Sequence, residues 1–211
     1  MSKTEVVVYA NQDLLAAAAA ARLVTRLVDV QAAKGTASLV LTGGGTGIAV
    51  LSELRASAAR DAIDWSRLDI YWGDERFVPA DSDERNEKQA REALLDHVPL
   101  DPKRIHAIAA SDGEFGDDVD AAAASYASVL ADNAGPEDHG NVPTFDIMLL
   151  GLGGEGHTAS VFPESPAVYE SERSVVAVRN CPKPPPTRVS LTLPAIRNAT
   201  RPRPARRCWT R

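Results

Sequence analysis

The run Phe145-Asp-Ile-Met-Leu-Leu150 stops abruptly in Gly151-Leu-Gly-Gly-Glu155-Gly-His157, and this junction constrains the fold more than any other stretch. A nearly continuous apolar run of that length reads as a strand buried on both faces, the signature of a parallel sheet. Glycine-rich, polar turns at the carboxyl ends of such strands are where these sheets bind ligands. The arrangement recurs twice. Residues 38–41 run into Thr42-Gly-Gly-Gly-Thr46-Gly47, and residues 68–72 run into Gly73-Asp74-Glu75-Arg76. Three strand ends of this kind can converge on one site.

The rest of the chain fits the same alternation. Residues 6–9 read as a short apolar strand. A helix over 14–33 follows, capped by Asn11 or Asp13 and ended by Gly35. Further helices are predicted over 48–60, 87–95 and 117–133. Further strands are predicted over 104–108, 175–178 and 188–193, with 145–150 as the central one. Strands alternating with helices of this length imply an α/β fold, a mostly parallel, doubly wound, Rossmann-like sheet with helices on both faces. Pro184-Pro185-Pro186 reads as a stiff extended element just before Arg188.

Composition excludes several classes. The chain has 211 residues, 44% apolar and 25% charged, enough for a substantial core without staples. Its two cysteines give neither a disulfide framework nor a thiolate zinc site. Its four histidines are scattered with no His-x-x-x-His pair, which argues against a metal site. A net charge of −6 makes it a poor nucleic-acid binder. No signal-peptide pattern and no apolar run long enough to span a bilayer is visible, so a cytoplasmic protein without a membrane partner is expected.

The turns carry the chemistry. Thr42–Gly47 lies between a strand and a helix, where backbone N–H groups and the helix dipole favour an anion. It lacks the Gly-Lys-Ser/Thr of a Walker A loop. Gly151-Leu-Gly153-Gly-Glu-Gly156 matches the dinucleotide fingerprint. However, Pro163 and Pro166 would break the helix that a pyrophosphate needs, and no acidic residue closes the next strand. No cofactor is expected. His157 is the candidate general base, with Glu155 two residues earlier to orient the ring, and a helical turn beginning there would favour neutral imidazole. His97, His106 and His139 read as structural or solvated. Arg76 and Arg188 are candidate anion forks, and Arg85 or Asn86 is within reach of the same crevice.

In sequence order, four motifs resemble those of the 6-phosphogluconolactonases of the pentose phosphate pathway, most nearly the actinobacterial ones. They are Leu41-Thr-Gly-Gly-Gly-Thr46, Trp72-Gly-Asp-Glu-Arg-Phe-Val-Pro79, Leu150-Gly-Leu-Gly-Gly-Glu-Gly-His-Thr-Ala-Ser-Val-Phe-Pro163 and Lys183-Pro-Pro-Pro-Thr-Arg188. The similarity covers residues 5–198. It implies a sheet shared with glucosamine-6-phosphate deaminases and ribose-5-phosphate isomerases, and metal-free hydrolysis of 6-phosphoglucono-δ-lactone. It further implies His157 as base with Glu155 beside it, and substrate contacts from Gly43, Gly44, Gly45, Thr46, Asp74, Arg76 and Arg188. The partner is then a small sugar phosphate, and the protein a monomer or weak homodimer.

Three departures stand out. Glu155 replaces the family's usual Asp, Gly45 and Gly47 replace a Ser and a Pro, and an Arg- and Pro-rich tail over 199–211 stands where the family continues with a strand, a helix and a strand. The expectation is a disordered tail, absent C-terminal strands and reduced stability. Two other readings use the same scaffold: a sugar-phosphate isomerase or deaminase, which needs a carboxylate for proton transfer, and a non-catalytic sugar-phosphate binder.

Overall fold

A computed structural model describes residues 5–199. Asn11 caps α1 (Gln12–Lys34) by accepting from the Leu14 N–H, and Gly35 ends it in the left-handed region at φ 83°. The apolar side chains of α1 recur at Leu23, Leu27 and Val30 and are buried on one face. β1 (Ala37–Leu41) leads into α2 (Gly44–Ala56). α2 starts four residues earlier than the apolar pattern implied, because the glycine turn itself forms the first helical turn.

β2 (Leu68–Trp72) pairs in parallel with β1, and β4 (Ile147–Met148) pairs in parallel with the other side of β1. The order β2-β1-β4 corrects one expectation. β1 is central, and the 145–150 run supplies only a two-residue strand at the edge of the described sheet. The burial expected of this run is only partial, with Ile147 and Met148 half-buried and Leu150 40% exposed.

The charged turn expected at residues 73–76 is instead a strand, β3 (Asp74–Arg76). It is antiparallel to β6 (Arg188–Leu191), which is antiparallel to β5 (Val175–Val178). These strands therefore form a second, antiparallel sheet rather than extending the parallel one. Gly73 joins the two sheets. Its N–H donates to the Leu41 carbonyl, and its carbonyl accepts from the Leu191 N–H, at 3.1 and 2.9 Å. Alternation along β5 explains why it reads as buried throughout: Val175 faces the main core, while Val176 and Val178 face a smaller cluster with Val161, Phe162, Ala167 and Cys181.

Three further expectations are corrected. Residues 6–9 form no strand and find no partner among the described residues, with Val6 and Val8 83% and 88% exposed. Residues 104–108 make a single bridge, Ile105 to Ile70, after a short 3-10 turn at Pro102–Arg104. Pro184–Pro186 turns through a cis Pro184–Pro185 bond instead of running extended. α3 (Asn86–Ala93), α4 (Val119–Asn133) and α5 (Leu193–Ala199) complete the described elements. The expectations for the tail from residue 200 onward lie outside the described residues. Among the described residues no helix is long and apolar enough to cross a membrane, and no cluster of His, Cys, Asp and Glu has metal-ligand geometry.

Candidate active site

Where the carboxyl ends of β1, β2 and β4 meet the antiparallel sheet lies a cavity of about 560 Å³. Its lining brings together Gly43, Gly44, Gly45, Thr46, Asp74, Arg76, His157 and Arg188. Asn86 and Lys183 join them. Eight of the nine residues expected from sequence therefore share one space. The ninth, Glu155, lies outside this lining and borders a neighbouring cavity instead.

The glycine turn is built for an anion. No side chain caps α2, so its first N–H groups remain open to the cavity. Gly44 sits at φ 80°, a backbone that residues with a Cβ rarely adopt. Strand alternation in β3 turns Asp74 and Arg76 into the cavity and Glu75 away from it. Glu75 is 1% exposed. Its carboxylate accepts from the N–H groups of Arg76, Asn86 and Glu87 at 2.7, 2.7 and 2.8 Å, so it caps α3 from a neighbouring strand. Burial pushes its pKa up to about 7, outweighing nearby Arg85 and the three N–H bonds.

Each arginine has a different occupation. Arg76 donates through Nη1 to the Glu84 carbonyl at 2.6 Å, while its buried Nε has no partner. Arg188 is almost fully committed. Nε donates to Pro185 O at 3.1 Å and Nη2 to Lys183 O at 2.8 Å, and Nη1 lies 3.8 Å from Asp74 Oδ2. Ser160 Oγ donates to the same Asp74 oxygen at 2.6 Å. Burial pulls the Arg188 pKa down, and the Asp74 carboxylate opposes that pull. Arg85 does not reach the cavity. It turns inward to the Ile108 carbonyl and to Glu87.

His157 packs flat against Phe162, ring centroids 4.2 Å apart and planes at 28°. No helix begins at His157. The segment is a chain of turns, held by Gly153 N–H to His157 O at 3.0 Å and Gly156 N–H to Gly153 O at 2.9 Å. The expected dipole contribution to the ring is therefore absent, because Pro163 and Pro166 stop a helix from forming. Glu155 Oε2 lies 3.2 Å from His157 Nδ1, but off the direction of a ring N–H, and Nδ1 makes no hydrogen bond. Phe162, Ser160 and Glu75 are contributors that sequence reasoning did not single out. The first two stood inside the recognised motif, and Glu75 was hidden by reading β3 as a turn. The remaining histidines behave as expected where they are placed: His106 stacks on Tyr71, and the His97 ring meets the Glu92 carbonyl.

Residues 10–202 match the family described as glucosamine-6-phosphate isomerases/6-phosphogluconolactonase. A 6-phosphogluconolactonase of Streptomyces coelicolor is 60% identical over 200 residues, covering 94% of this chain and 77% of that relative. One of Mycobacterium tuberculosis is 55% identical over 192 residues, covering 91% and 76%. Among solved structures, the 6-phosphogluconolactonase of Leishmania guyanensis superposes with a TM-score of 0.79 at 27% identity, covering 93% of this chain and 78% of that one. A monomeric glucosamine-6-phosphate deaminase, 18% identical with a TM-score of 0.69, shares the fold. Sequence and architecture agree with the cavity in one conclusion: the chain belongs to the glucosamine-6-phosphate isomerase/6-phosphogluconolactonase family.

Proposed function

We propose that this protein hydrolyses 6-phosphoglucono-δ-lactone to 6-phosphogluconate, the lactone-opening step of the oxidative pentose phosphate pathway. The observation that carries the reading is a histidine facing the same cavity as an uncapped helix N-terminus and two arginines. The phosphate binds the N–H groups of the 43–46 turn. Arg76 lines the same cavity and assists with its charge. Arg188 supports the site by holding the 183–185 loop and balancing Asp74, and Lys183 adds an exposed cation to the lining.

With Nδ1 turned towards Glu155, the other ring nitrogen of His157 takes a proton from water as the water oxygen attacks C1. The C1–ring oxygen bond then breaks, and the imidazolium returns the proton to the departing oxygen. Gly153 and Gly156 use their N–H groups within the turn, so oxyanion stabilisation falls to Gly151 and Leu152, whose residues line the cavity. Glu155 approaches the ring from outside the cavity without a hydrogen bond to it. The isomerase or deaminase reading needs a carboxylate free for proton transfer, and Asp74 is tied to Ser160 and Arg188.

The test is turnover of freshly made lactone by the wild type and by folded His157→Ala, corrected for spontaneous opening. The expected loss is about 10²- to 10⁴-fold in kcat. Unchanged turnover in the variant would remove His157 from the mechanism.

A further inference from the structure

The start of α1 stands beside the glycine turn. Leu15 and Ala19 of that helix line the cavity. Gln12, its first residue, precedes them by three and seven positions and so lies on the same stripe of the helix. Gln12 is exposed, and among the described residues its amide makes no hydrogen bond. Beyond the first turn of α2 itself, a Cβ placed on Gly45 would meet one atom within 4 Å, Nε2 of Gln12 at 3.8 Å. A Cβ placed on Gly44 would meet none. The Gly44–Gly45 face of the turn is therefore open space, bordered by one accessible and uncommitted amide.

A phosphoryl group carries three strong acceptor oxygens, and the N–H groups at the start of α2 supply donors from one side only. No protein partner fixes which end of the Gln12 amide is presented, so an anion selects the NH2. Resting on the function proposed above, we propose that Gln12 Nε2 donates a hydrogen bond to the phosphate seated at the 43–46 turn, so that α1 joins α2 in selecting phosphorylated substrates. The donor comes from a neighbouring helix because Gly45 has no side chain to supply one.

The experiment measures equilibrium binding of 6-phosphogluconate, and of inorganic phosphate by competition, with melting curves for every variant. Gln12→Ala should weaken both ligands by the same factor, about three- to tenfold for one hydrogen bond at an exposed position, at unchanged Tm. KM for the lactone should rise by that factor while kcat stays as in the wild type. Gln12→Glu places a carboxylate beside the phosphate and should bind both ligands more weakly still. Gly45 lies outside the positive-φ region, so a serine fits there. Adding Gly45→Ser to Gln12→Ala should restore binding through a hydroxyl donor in the same space. Weakening that the serine does not restore, or that comes with a lowered Tm, would mark Gln12 as structural and overturn the assignment. Loss for 6-phosphogluconate without loss for inorganic phosphate would overturn it as well, since the contact would then lie on the sugar. Wild-type binding in Gln12→Ala overturns this assignment alone. Wild-type protein that neither binds 6-phosphogluconate nor opens the lactone overturns it together with the function.

Discussion

A Cβ added to Gly153 would fall 2.0 Å from Cε1 and 2.5 Å from Nδ1 of His157. The ring therefore sits where no other residue at 153 would let it sit. Phe162 holds its opposite face, so the ring cannot retreat without disturbing that stack. Gly153→Ala should therefore displace the base rather than unfold the chain. A shift of about 1 Å in a catalytic group can cost about 10²-fold, and that is the expected fall in kcat at near-normal melting temperature. Activity within a few-fold of wild type would show that the ring has room to spare. Glu155 belongs to the same neighbourhood but acts more weakly, being 45% exposed and out of line with Nδ1. The sequence put both residues next to the histidine. Only the geometry separates the one that confines the ring from the one that approaches it.

Elements explain what single residues cannot. β3 is three residues long, and its alternation sends Asp74 and Arg76 to the cavity and Glu75 to the N-terminus of α3. Glu75 gives a stability signature with a definite sign. Its pKa in the folded chain is about 7, above the ordinary 4.5. Between those values the unfolded chain releases its proton while the folded chain keeps it, so raising the pH favours unfolding. Above pH 7 both states are ionised and the penalty is constant. The contribution is on the order of 3 kcal/mol. Urea unfolding should show wild-type stability falling from pH 5 to pH 8 relative to Glu75→Gln, which lacks the ionisation. Parallel curves for the two proteins would refute a raised Glu75.

The same strand shows what was legible beforehand. Helices α1 to α4, the parallel pair β1–β2 and the clustering of the 43–46, 74–76 and 157 segments follow from periodicity and from glycine at strand ends, whereas α5 was not read from the sequence. The antiparallel sheet does not. β5 is apolar, like a strand of a parallel sheet, because it lies between two clusters, while β3 is Asp-Glu-Arg and so reads as a charged turn. The division of labour between Arg76 and Arg188 was equally hidden, since it depends on carbonyls that the 183–185 turn brings together.

The described residues form a large core and a small one, and the cavity's histidine packs on the small one. Leu39, Val40, Leu51, Leu54 and Ile70 belong to the first. Val161, Phe162, Ala167, Val176, Val178 and Cys181 form the second, with Val168 packed against it. The open N–H groups of α2, together with Asp74 and Arg76, stand on elements anchored in the large core. His157 leans on Phe162 and so depends on the small one. A cluster of few side chains under turns gives less burial to resist local opening, so the half carrying the base should open at lower free energy than the half carrying the phosphate. Native-state amide exchange can separate them. The Val161 and Val168 N–H groups, bonded to Thr158 O and Ser165 O, report on the small cluster, and those of Leu39 and Val40 on the large one. Leu51→Ala should lower protection at Leu39 and Val40 by about 2–5 kcal/mol. It should leave Val161 and Val168 as in the wild type, because Leu51 stays packed while the small cluster opens. If all four amides lose protection together, the two cores unfold as one unit and the base is as firmly seated as the phosphate site.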